Sequence, residues 1–479
     1  MSEPAQGPIP VSAVEHIAIT RKIPWDAARL VMVYLVLLFA VPSYVSISSL
    51  GTLGRPHFLW GLGMFAFWAI SRLQWRTVDV ASTSQPVRFA FVVFLVIALV
   101  SFADAMLRGQ PADQISQLIT SLLRVLSWAG VLLVIVDGVR TMRDVSRIVR
   151  FLAIGAALLA LLALLQSFTG RSLLDFWGSI PGLNVGEGGI AERSGRTRTA
   201  ATAMHPLEFG TVLNAALPLC VAGALTQGFG RGQARSTAAW WWAASALLAV
   251  VALMSVSRSS IIGLAVAVVL IVPAIPRRTR LLVVSGGLGV IVAMVALMPG
   301  LVGTTLSLFT SSDGSTMSRT GALDRLPEFV AASPLVGIGF GTFLPRYYVF
   351  DNGWAGLAIE LGMLGVIAFA AMVVAAVWSA WQARSNSVWP DVRLTAHALG
   401  ASVITAAVVL AFFDGLAFPM SAGFLFVVIG LCAAIRSVAL VEKRGMGVAI
   451  TPHAFEDSMA EDRASRREAR SSQPRPAAP

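Results

Sequence analysis

Residues 151–168 read FLAIGAALLALLALLQSF and contain no charged side chain. As an α-helix this stretch extends about 27 Å, which is close to the thickness of a bilayer's hydrocarbon core. Comparable apolar stretches recur from Arg29 to Arg436. Of all residues 56% are hydrophobic and only 13% are charged, whereas about a quarter of a soluble domain is charged. The chain is therefore predicted to lie in a membrane.

The apolar stretches are too long for the strands of a membrane barrel, and lipid cannot satisfy an open backbone, so they are predicted to be helices. We expect an all-α polytopic membrane protein with about 12 transmembrane helices and a large extracytoplasmic loop that contains a short amphipathic helix. The predicted spans are residues 29–49, 57–71, 89–104, 115–136, 151–168, 206–226, 238–256, 259–275, 281–298, 354–380, 394–413 and 417–436.

Arginine is concentrated in alternate connections between these spans. The connections carry Arg72, Arg76 and Arg88; Arg140, Arg143, Arg147 and Arg150; Arg231 and Arg235; Arg277, Arg278 and Arg280; and Arg384 and Arg393. Basic residues of membrane proteins stay in cytoplasmic loops, which places both termini in the cytoplasm. The predicted location is the cytoplasmic (inner) membrane, with multiple passes. The net charge of +11 then faces anionic lipid headgroups, and nucleic acid is not implied as a partner.

The predicted domain organisation has three parts. Residues 1–28 are a cytoplasmic N-terminal segment, residues 29–441 form the transmembrane domain, and the polar, Pro-rich residues 442–479 form a disordered cytoplasmic tail. Both cysteines, Cys220 and Cys432, lie within apolar spans and are expected to be small buried hydrophobes. The sequence predicts no disulfide, no metal site and no cofactor.

Two extracytoplasmic loops are long, residues 169–205 and residues 299–353, and function is expected to be concentrated there. The first loop ends in a basic segment with Arg193, Arg196 and Arg198. Arginines on this side are exceptions to the rule that keeps basic residues inside. They suggest an anion bound at the outer surface.

The second long loop contains apolar residues at helical spacing, Leu323, Leu326 and Val330, with charges between them. This pattern predicts the short amphipathic helix, lying on the membrane. Arg325 and Glu328 are placed to pair along it. The stretch Ser333–Gly341 follows, with three alternating glycines that let the backbone approach a partner closely. Because it follows a helix rather than a strand, it does not indicate a dinucleotide fold.

Four short blocks resemble those of the O-antigen ligase and O-antigen polymerase superfamily, in the family's order. The blocks are Arg198 with Pro206; Ser257–Ser260; Arg319–Phe343; and Asn352 with Glu360–Gly362. The resemblance extends over roughly residues 150–430. It implies that residues 29–441 form a membrane glycosyltransferase-like domain of cell-envelope polysaccharide biosynthesis. Such an enzyme works at the outer face, without a metal and with inversion at the anomeric carbon.

The resemblance also implies the partners. The donor is a glycan linked to polyprenyl diphosphate, the acceptor is a hydroxyl of a glycan, lipid or protein, and membrane lipids surround the site. Arginine suits this donor, because guanidinium groups bind phosphate with two bonds and stabilise a diphosphate leaving group where water is scarce.

Arg258 and Arg319 match motif positions and are predicted as catalytic ligands of the diphosphate, followed by Arg198 as a substrate-binding residue. Arg193 and Arg196 are predicted as outer helpers. Two alternatives remain open. Arg258 lies at the end of a hydrophobic span, where an arginine side chain also snorkels to the interface. Arg193 and Arg196 are equally typical of solvated loop charges.

The acceptor side departs from the family, which has His before Asn where this chain has Asp351 and Asn352. The family's His is thought to act as base, and a carboxylate is a common base in inverting sugar transfer, so Asp351 is the predicted base. His205 is the alternative, although a residue before Pro206 at the start of a span also caps its helix. Asn352 is predicted to bind substrate.

Two ionisable residues fall within predicted spans. Glu360 is expected about 12 Å deep, as a substrate-binding group, a partner for an arginine, or a helix-packing bond. Arg124 is expected either to pair with a carboxylate in the bundle or to line a lipid groove.

Functions of two other classes fit the sequence. A transporter or flippase for a lipid-linked sugar or a small anion also needs many spans and a basic cavity. Alternating-access carriers show repeats and broken helices in both halves, and the two long loops do not match in this way. A non-catalytic scaffold is the third reading, because aspartate replaces the expected histidine at position 351.

Overall fold

The computed structural model describes residues 26–74, 84–186, 188, 190–193, 196–230, 237–255, 257–297 and 314–449. The described part of the chain is mostly helical and contains fourteen α-helices. They are α1 Ala27–Ala40, α2 Pro56–Gln74, α3 Pro86–Leu107, α4 Ala112–Gly138, α5 Met142–Thr169, α6 Pro206–Thr226, α7 Ala238–Met254, α8 Arg258–Ile271, α9 Arg277–Leu297, α10 Gly314–Val330, α11 Gly353–Glu360, α12 Gly362–Asn386, α13 Pro390–Val409 and α14 Pro419–Ala449. The predicted all-α membrane fold is confirmed in this coarse form.

Seven helical segments within the described ranges are long and apolar enough to cross a membrane. They are Pro86–Leu107, Ala112–Gly138, Met142–Thr169, Pro206–Thr226, Gly362–Asn386, Pro390–Phe412 and Pro419–Lys443. Three shorter apolar helical segments accompany them, Ala27–Ala40, Ala238–Met254 and Arg258–Ala274. The protein is thus a multi-pass membrane protein, while the count of twelve spans is not confirmed.

Helix α6 occupies the centre of the bundle, because nearly all its side chains are buried. It packs against α5, α7, α8 and α13. Helix α14 is the other buried helix, with contacts to α4, α12 and α13. Most residues of α6 and α14 are buried in the bundle, whereas α3, which is equally apolar, leaves much of its surface facing lipid. The central position of α6 matters because His205 caps it and Glu208 lies in its first turn.

The predicted extracytoplasmic loop 169–205 contains short strands, which the sequence had not indicated. Strand β1, Val45–Ile47, pairs antiparallel with β2, Leu183–Val185. Strand β3, Ile190–Arg193, pairs with β4, Arg196–Thr199, so that Arg193 lies opposite Arg196. The first predicted span, residues 29–49, is corrected accordingly: its helix ends at Ala40, and β1 follows.

The predicted span 354–380 is also corrected, because it is broken at Leu361 into α11 and α12. The glycine-rich stretch satisfies the backbone at this break. Amide groups of Ile338 and Gly339 donate to the carbonyl oxygens of Ile359 (3.1 Å) and Glu360 (2.9 Å). The approach is as close as the alternating glycines predicted.

In the other direction, amide groups of Met363 and Leu364 donate to the carbonyl oxygens of Pro334 (2.9 Å) and Leu335 (3.2 Å). Gly362 turns the chain with φ +66°, a left-handed conformation that favours glycine. Free groups at both helix ends, which lipid would leave unsatisfied, therefore bond to the loop.

Helix α10 covers residues 318–330, which were predicted as a short amphipathic helix. Its apolar face contacts an aromatic cluster that includes Phe329, Phe343, Tyr348 and Phe350. The predicted pair of Arg325 and Glu328 is present at 3.4 Å. The same guanidinium lies over the rings of Phe329 and Tyr348.

Side chains after this cluster attach the outer segment to the start of α4. The Arg346 guanidinium pairs with Asp113 at 2.5 Å, and the Gln114 amide lies 2.5 Å from the Tyr347 hydroxyl. The motif loop is thereby held against the membrane bundle.

Candidate functional site

Arg198 lies on β4 with only 6% of its surface exposed. Its Nε donates to the carbonyl oxygen of Ser255 at 2.9 Å. Ser255 follows the last residue of α7, and Arg258 begins α8 three residues later. Two predicted phosphate ligands, from separate loops, are therefore brought to the same turn.

The turn between α7 and α8 is fixed against the central helix α6. Asn214 donates to the carbonyl oxygen of Ser260 at 2.8 Å, and the Ser260 hydroxyl donates to the carbonyl oxygen of Ala252 at 3.0 Å. Gly210 leaves room for this packing, because a Cβ there would lie 2.9 Å from the Ser260 hydroxyl. Half-buried Arg258 thus starts from a rigid turn, as a positioned ligand requires.

His205 caps α6, as the alternative reading of the sequence expected. Its Nδ1 accepts a hydrogen bond from the amide of Leu207 at 3.1 Å. Arg198 and Asp351 both act on the ring electrostatically. Burial, together with Arg198, lowers the pKa of His205, while Asp351 opposes this change. The neutral ring therefore keeps its proton on Nε2, the nitrogen that Leu207 does not occupy.

Asn352 caps α11 with its side-chain oxygen, which accepts from the amides of Trp354 (3.0 Å) and Ala355 (3.1 Å). Because this cap fixes the backbone at Asn352, it also fixes the position of the preceding residue, half-buried Asp351. Asp351 acts electrostatically on both His205 and Asp414. The predicted base thus lies close to the alternative one.

Glu360, at the end of α11, is held by the glycine-rich loop. The amide of Phe343 donates to its Oε1 at 3.3 Å, and the amide of Gly341 also bonds to it. Glu360 and Arg124 act on each other electrostatically, so the predicted partnership between Glu360 and an arginine is not a direct hydrogen bond.

Arg124, on α4, also acts on Asp414, which follows α13. Burial raises the pKa of Asp414 to about 6, and Arg124 opposes this rise. Arg124 thus interacts electrostatically with carboxylates of the bundle and lines a cavity there.

Residues 243–370 match the family model described as O-antigen ligase. This part of the chain is similar to O-antigen ligases. The resemblance to that superfamily is thereby confirmed over these residues. No curated protein matches the chain.

The matched residues include Arg258, Arg319, Asp351 and Glu360, and so three of the four blocks. Arg198 and His205 precede the matched residues, yet Arg198 bonds to Ser255 and both Arg198 and Asp351 act on His205. The candidate site therefore also includes residues outside the match, on β4 and at the start of α6.

The remaining predicted arginines are only partly described. Arg319 lies on α10, and Arg193 and Arg196 lie on β3 and β4; their side chains fall outside the described residues. Their roles stay predictions. Within the described ranges, no three His, Cys, Asp or Glu side chains are placed to hold a metal ion.

Sequence reasoning missed two residues near the candidate site. Glu208, on α6, accepts from the amides of Met204 (2.8 Å) and Met420 (2.5 Å) and so joins α6 to α14. Arg55 acts on it electrostatically. Both carried a signal: Glu208 is a charge inside a predicted span, and Arg55 is a further arginine in an outer connection.

Proposed function

We propose that the protein is a glycosyltransferase of cell-envelope polysaccharide biosynthesis. It moves a glycan from a polyprenyl diphosphate carrier to an acceptor hydroxyl at the outer face of the cytoplasmic membrane. One observation carries the proposal: Arg198 and Asp351, from separate motif blocks, both act on His205 at the start of α6. Cations for a leaving diphosphate and a carboxylate for an incoming hydroxyl are thereby next to each other.

The donor half of the reaction uses the arginines. As the bond from the anomeric carbon to the diphosphate breaks, its electron pair moves to the phosphate oxygen, where negative charge develops. Arg258 and Arg319 bind this oxygen and its neighbours, with Arg198 behind them and Arg193 and Arg196 further out. Fixed guanidinium groups stabilise such charge most where water is excluded.

The acceptor half uses Asp351 as base. The acceptor oxygen attacks the anomeric carbon from the face opposite the diphosphate, which inverts the configuration, and its proton passes to the carboxylate. His205 is a poor base here, because the Leu207 amide already occupies the lone pair of Nδ1 and Nε2 carries the proton. Its Nε2–H instead donates to a substrate oxygen.

Asn352 and Glu360 act mainly on position. The Asn352 cap orients Asp351, and Glu360 anchors the glycine-rich loop that follows α10. The position of Arg319 on α10 relative to Asp351 is thereby fixed. The substrate-binding role that the resemblance implies for both residues is exerted through these contacts.

The test uses purified protein, a polyprenyl-diphosphate oligosaccharide and cell-envelope acceptors, with release of polyprenyl diphosphate as the readout. Arg258→Ala and Arg319→Ala are expected to abolish release. Arg325→Ala is the matched control on α10, because its guanidinium is already paired with Glu328, and it should retain release.

Transport is the outcome that would overturn the proposal. Wild-type protein in sealed vesicles that moves the intact lipid-linked glycan across the bilayer, without cleaving it, is a flippase. Release of polyprenyl diphosphate without transfer of the glycan to any acceptor would point to a hydrolase.

A further inference from the structure

A cavity of about 140 Å³ lies between α1, α2, α4 and the start of α14. In liquid water, about four or five molecules occupy this volume. Exposed Thr52 and Gln117 are at one end, and Arg124 and Trp128 line it further along α4. Arg55, just before α2, completes the pair of arginines in its wall.

The two guanidinium groups of this cavity are not used by the protein. Among the described residues, neither Arg55 nor Arg124 has a hydrogen bond or an ion pair within 4.0 Å to its side chain. They also repel each other, since each is a cation in the field of the other. Up to ten N–H donors on two like charges therefore surround one small space.

The nearest carboxylates do not take up these donors. Glu208 accepts from two backbone amides, and Glu360 accepts from those of Gly341 and Phe343. Asp414 accepts from the amide of Ala417. None of the described residues that line the cavity is Asp or Glu. These carboxylates act on Arg55 and Arg124 electrostatically, while both arginines line the cavity.

We infer that the Arg55–Arg124 cavity is an oxyanion site that takes a phosphate group, separate from the diphosphate site at Arg258. One guanidinium is sufficient for the two oxygens of a carboxylate, whereas two guanidinium groups from different segments match the several oxygens of a tetrahedral phosphate. The Gln117 amide and the Tyr34 hydroxyl line the same space and add neutral donors.

The site lies beside the proposed reaction centre. Met204 and Ala417 form part of the cavity wall, and His205 is the next residue after Met204. The inference rests on the cavity alone and does not require glycosyl transfer. The phosphate group belongs either to a polyprenyl phosphate headgroup or to free inorganic phosphate, and both share the chemistry that the arginines recognise.

Binding of radiolabelled inorganic phosphate to the purified full chain tests the inference. Arg258→Ala removes the proposed diphosphate site and should leave phosphate binding at the cavity. Adding Arg55→Gln or Arg124→Gln to that variant should weaken binding by about tenfold or more, because a charged hydrogen-bond donor is lost. Unchanged affinity in both double variants, or no phosphate binding to Arg258→Ala protein, overturns the inference.

Two further arms make the result decisive. Arg55→Lys keeps the charge and loses the planar fork, so its affinity should fall between wild type and Arg55→Gln even if Arg124→Gln does not fold. Polyprenyl monophosphate in detergent identifies the source: competition with inorganic phosphate at equal affinity indicates the free ion, and much tighter binding of the lipid indicates the headgroup.

This binding test and the release assay fail independently. If wild-type protein releases no polyprenyl diphosphate and its phosphate binding depends on Arg55, only the proposed transfer is overturned. Normal release with phosphate binding insensitive to Arg55 and Arg124 would overturn only the second site.

Discussion

Helix α4 carries two charged clusters, and they differ in whether their arginines bond to a carboxylate of the protein. Near its end, the Asp137 carboxylate pairs with Arg72 and with Arg88 at 3.0 Å and accepts from the Trp68 indole at 2.8 Å. Arg124 lies thirteen residues earlier, about 20 Å along the helix, and faces the cavity it shares with Arg55. In the first cluster, the protein uses the guanidinium donors for its own contacts.

In the second cluster, the guanidinium donors of Arg55 and Arg124 remain available for the proposed anion. The difference separates stability from function: an arginine bonded to a carboxylate contributes to the fold, and one that faces an anion-sized space costs desolvation until a ligand arrives. Substitutions in the two clusters should therefore have opposite effects on stability and activity.

The largest expected effect concerns the chemistry beside the cavity. Asp351→Asn removes the proposed base and keeps the shape, so release of polyprenyl diphosphate should fall about 10²–10⁴-fold while stability hardly changes. Asp324→Asn, an exposed carboxylate on α10, is the matched control and should keep its rate. If Asp351→Asn keeps a rate within threefold of wild type, another group acts as the base.

The next-largest effect concerns the packing of the glycine-rich stretch Ser333–Gly341 against α4. Gly341 has φ +82°, and a Cβ there would collide with the Ser121 hydroxyl. Gly341→Ala should destabilise the protein by about 3 kcal/mol, through both backbone strain and overpacking. Gly321→Ala is the control, because nothing lies within 4 Å of that position on α10. Equal melting temperatures for the two variants would contradict the described packing.

At the Asp137 cluster, the comparison predicts a loss of stability alone. Asp137→Asn leaves Arg72 and Arg88 without their charged acceptor and should cost about 1–2 kcal/mol, a value reduced for their partial exposure. Asp113→Asn breaks the more exposed pair with Arg346 and should cost less. Release measured at a permissive temperature should be normal in both variants.

Arg124→Met should change stability by no more than about 1 kcal/mol, because replacing a buried charge that has no direct bond is often neutral. Arg88→Met is the comparison variant and should be the less stable of the two. If Arg124→Met unfolds the protein while Arg88→Met does not, then Arg124 belongs to the fold and the contrast between the clusters disappears.

Hydropathy predicted a bundle of apolar membrane helices, but it did not predict the break within one of them. A run of apolar residues around Leu361 reads as one helix, because the left-handed turn at Gly362 leaves hydropathy unchanged. The pairing of Val45 with Val185 was equally hidden, since it joins segments far apart in the chain. Local patterns did predict α10 and the pair of Arg325 with Glu328, whose interactions lie within one helical turn.

The candidate site was predictable where a motif marked it. Arg258 and Asp351 stand at positions that the family blocks define. Arg55 and Glu208 belong to no block, and only the tertiary arrangement brings them near His205. The hydrogen bond that the Leu207 amide donates to His205 Nδ1 was likewise a matter of geometry, and it decides which ring nitrogen carries the proton.

The break at Leu361 has a consequence for how the protein is made. Residues 334–339 leave the ribosome before α11 and α12, so their carbonyl and amide groups are available when the broken helix emerges. The polar gap can then be closed during synthesis, without exposing unbonded backbone to lipid. A circular permutant that begins at Asn352 would reverse this order, and it should insert with far lower yield even though its finished contacts are the same.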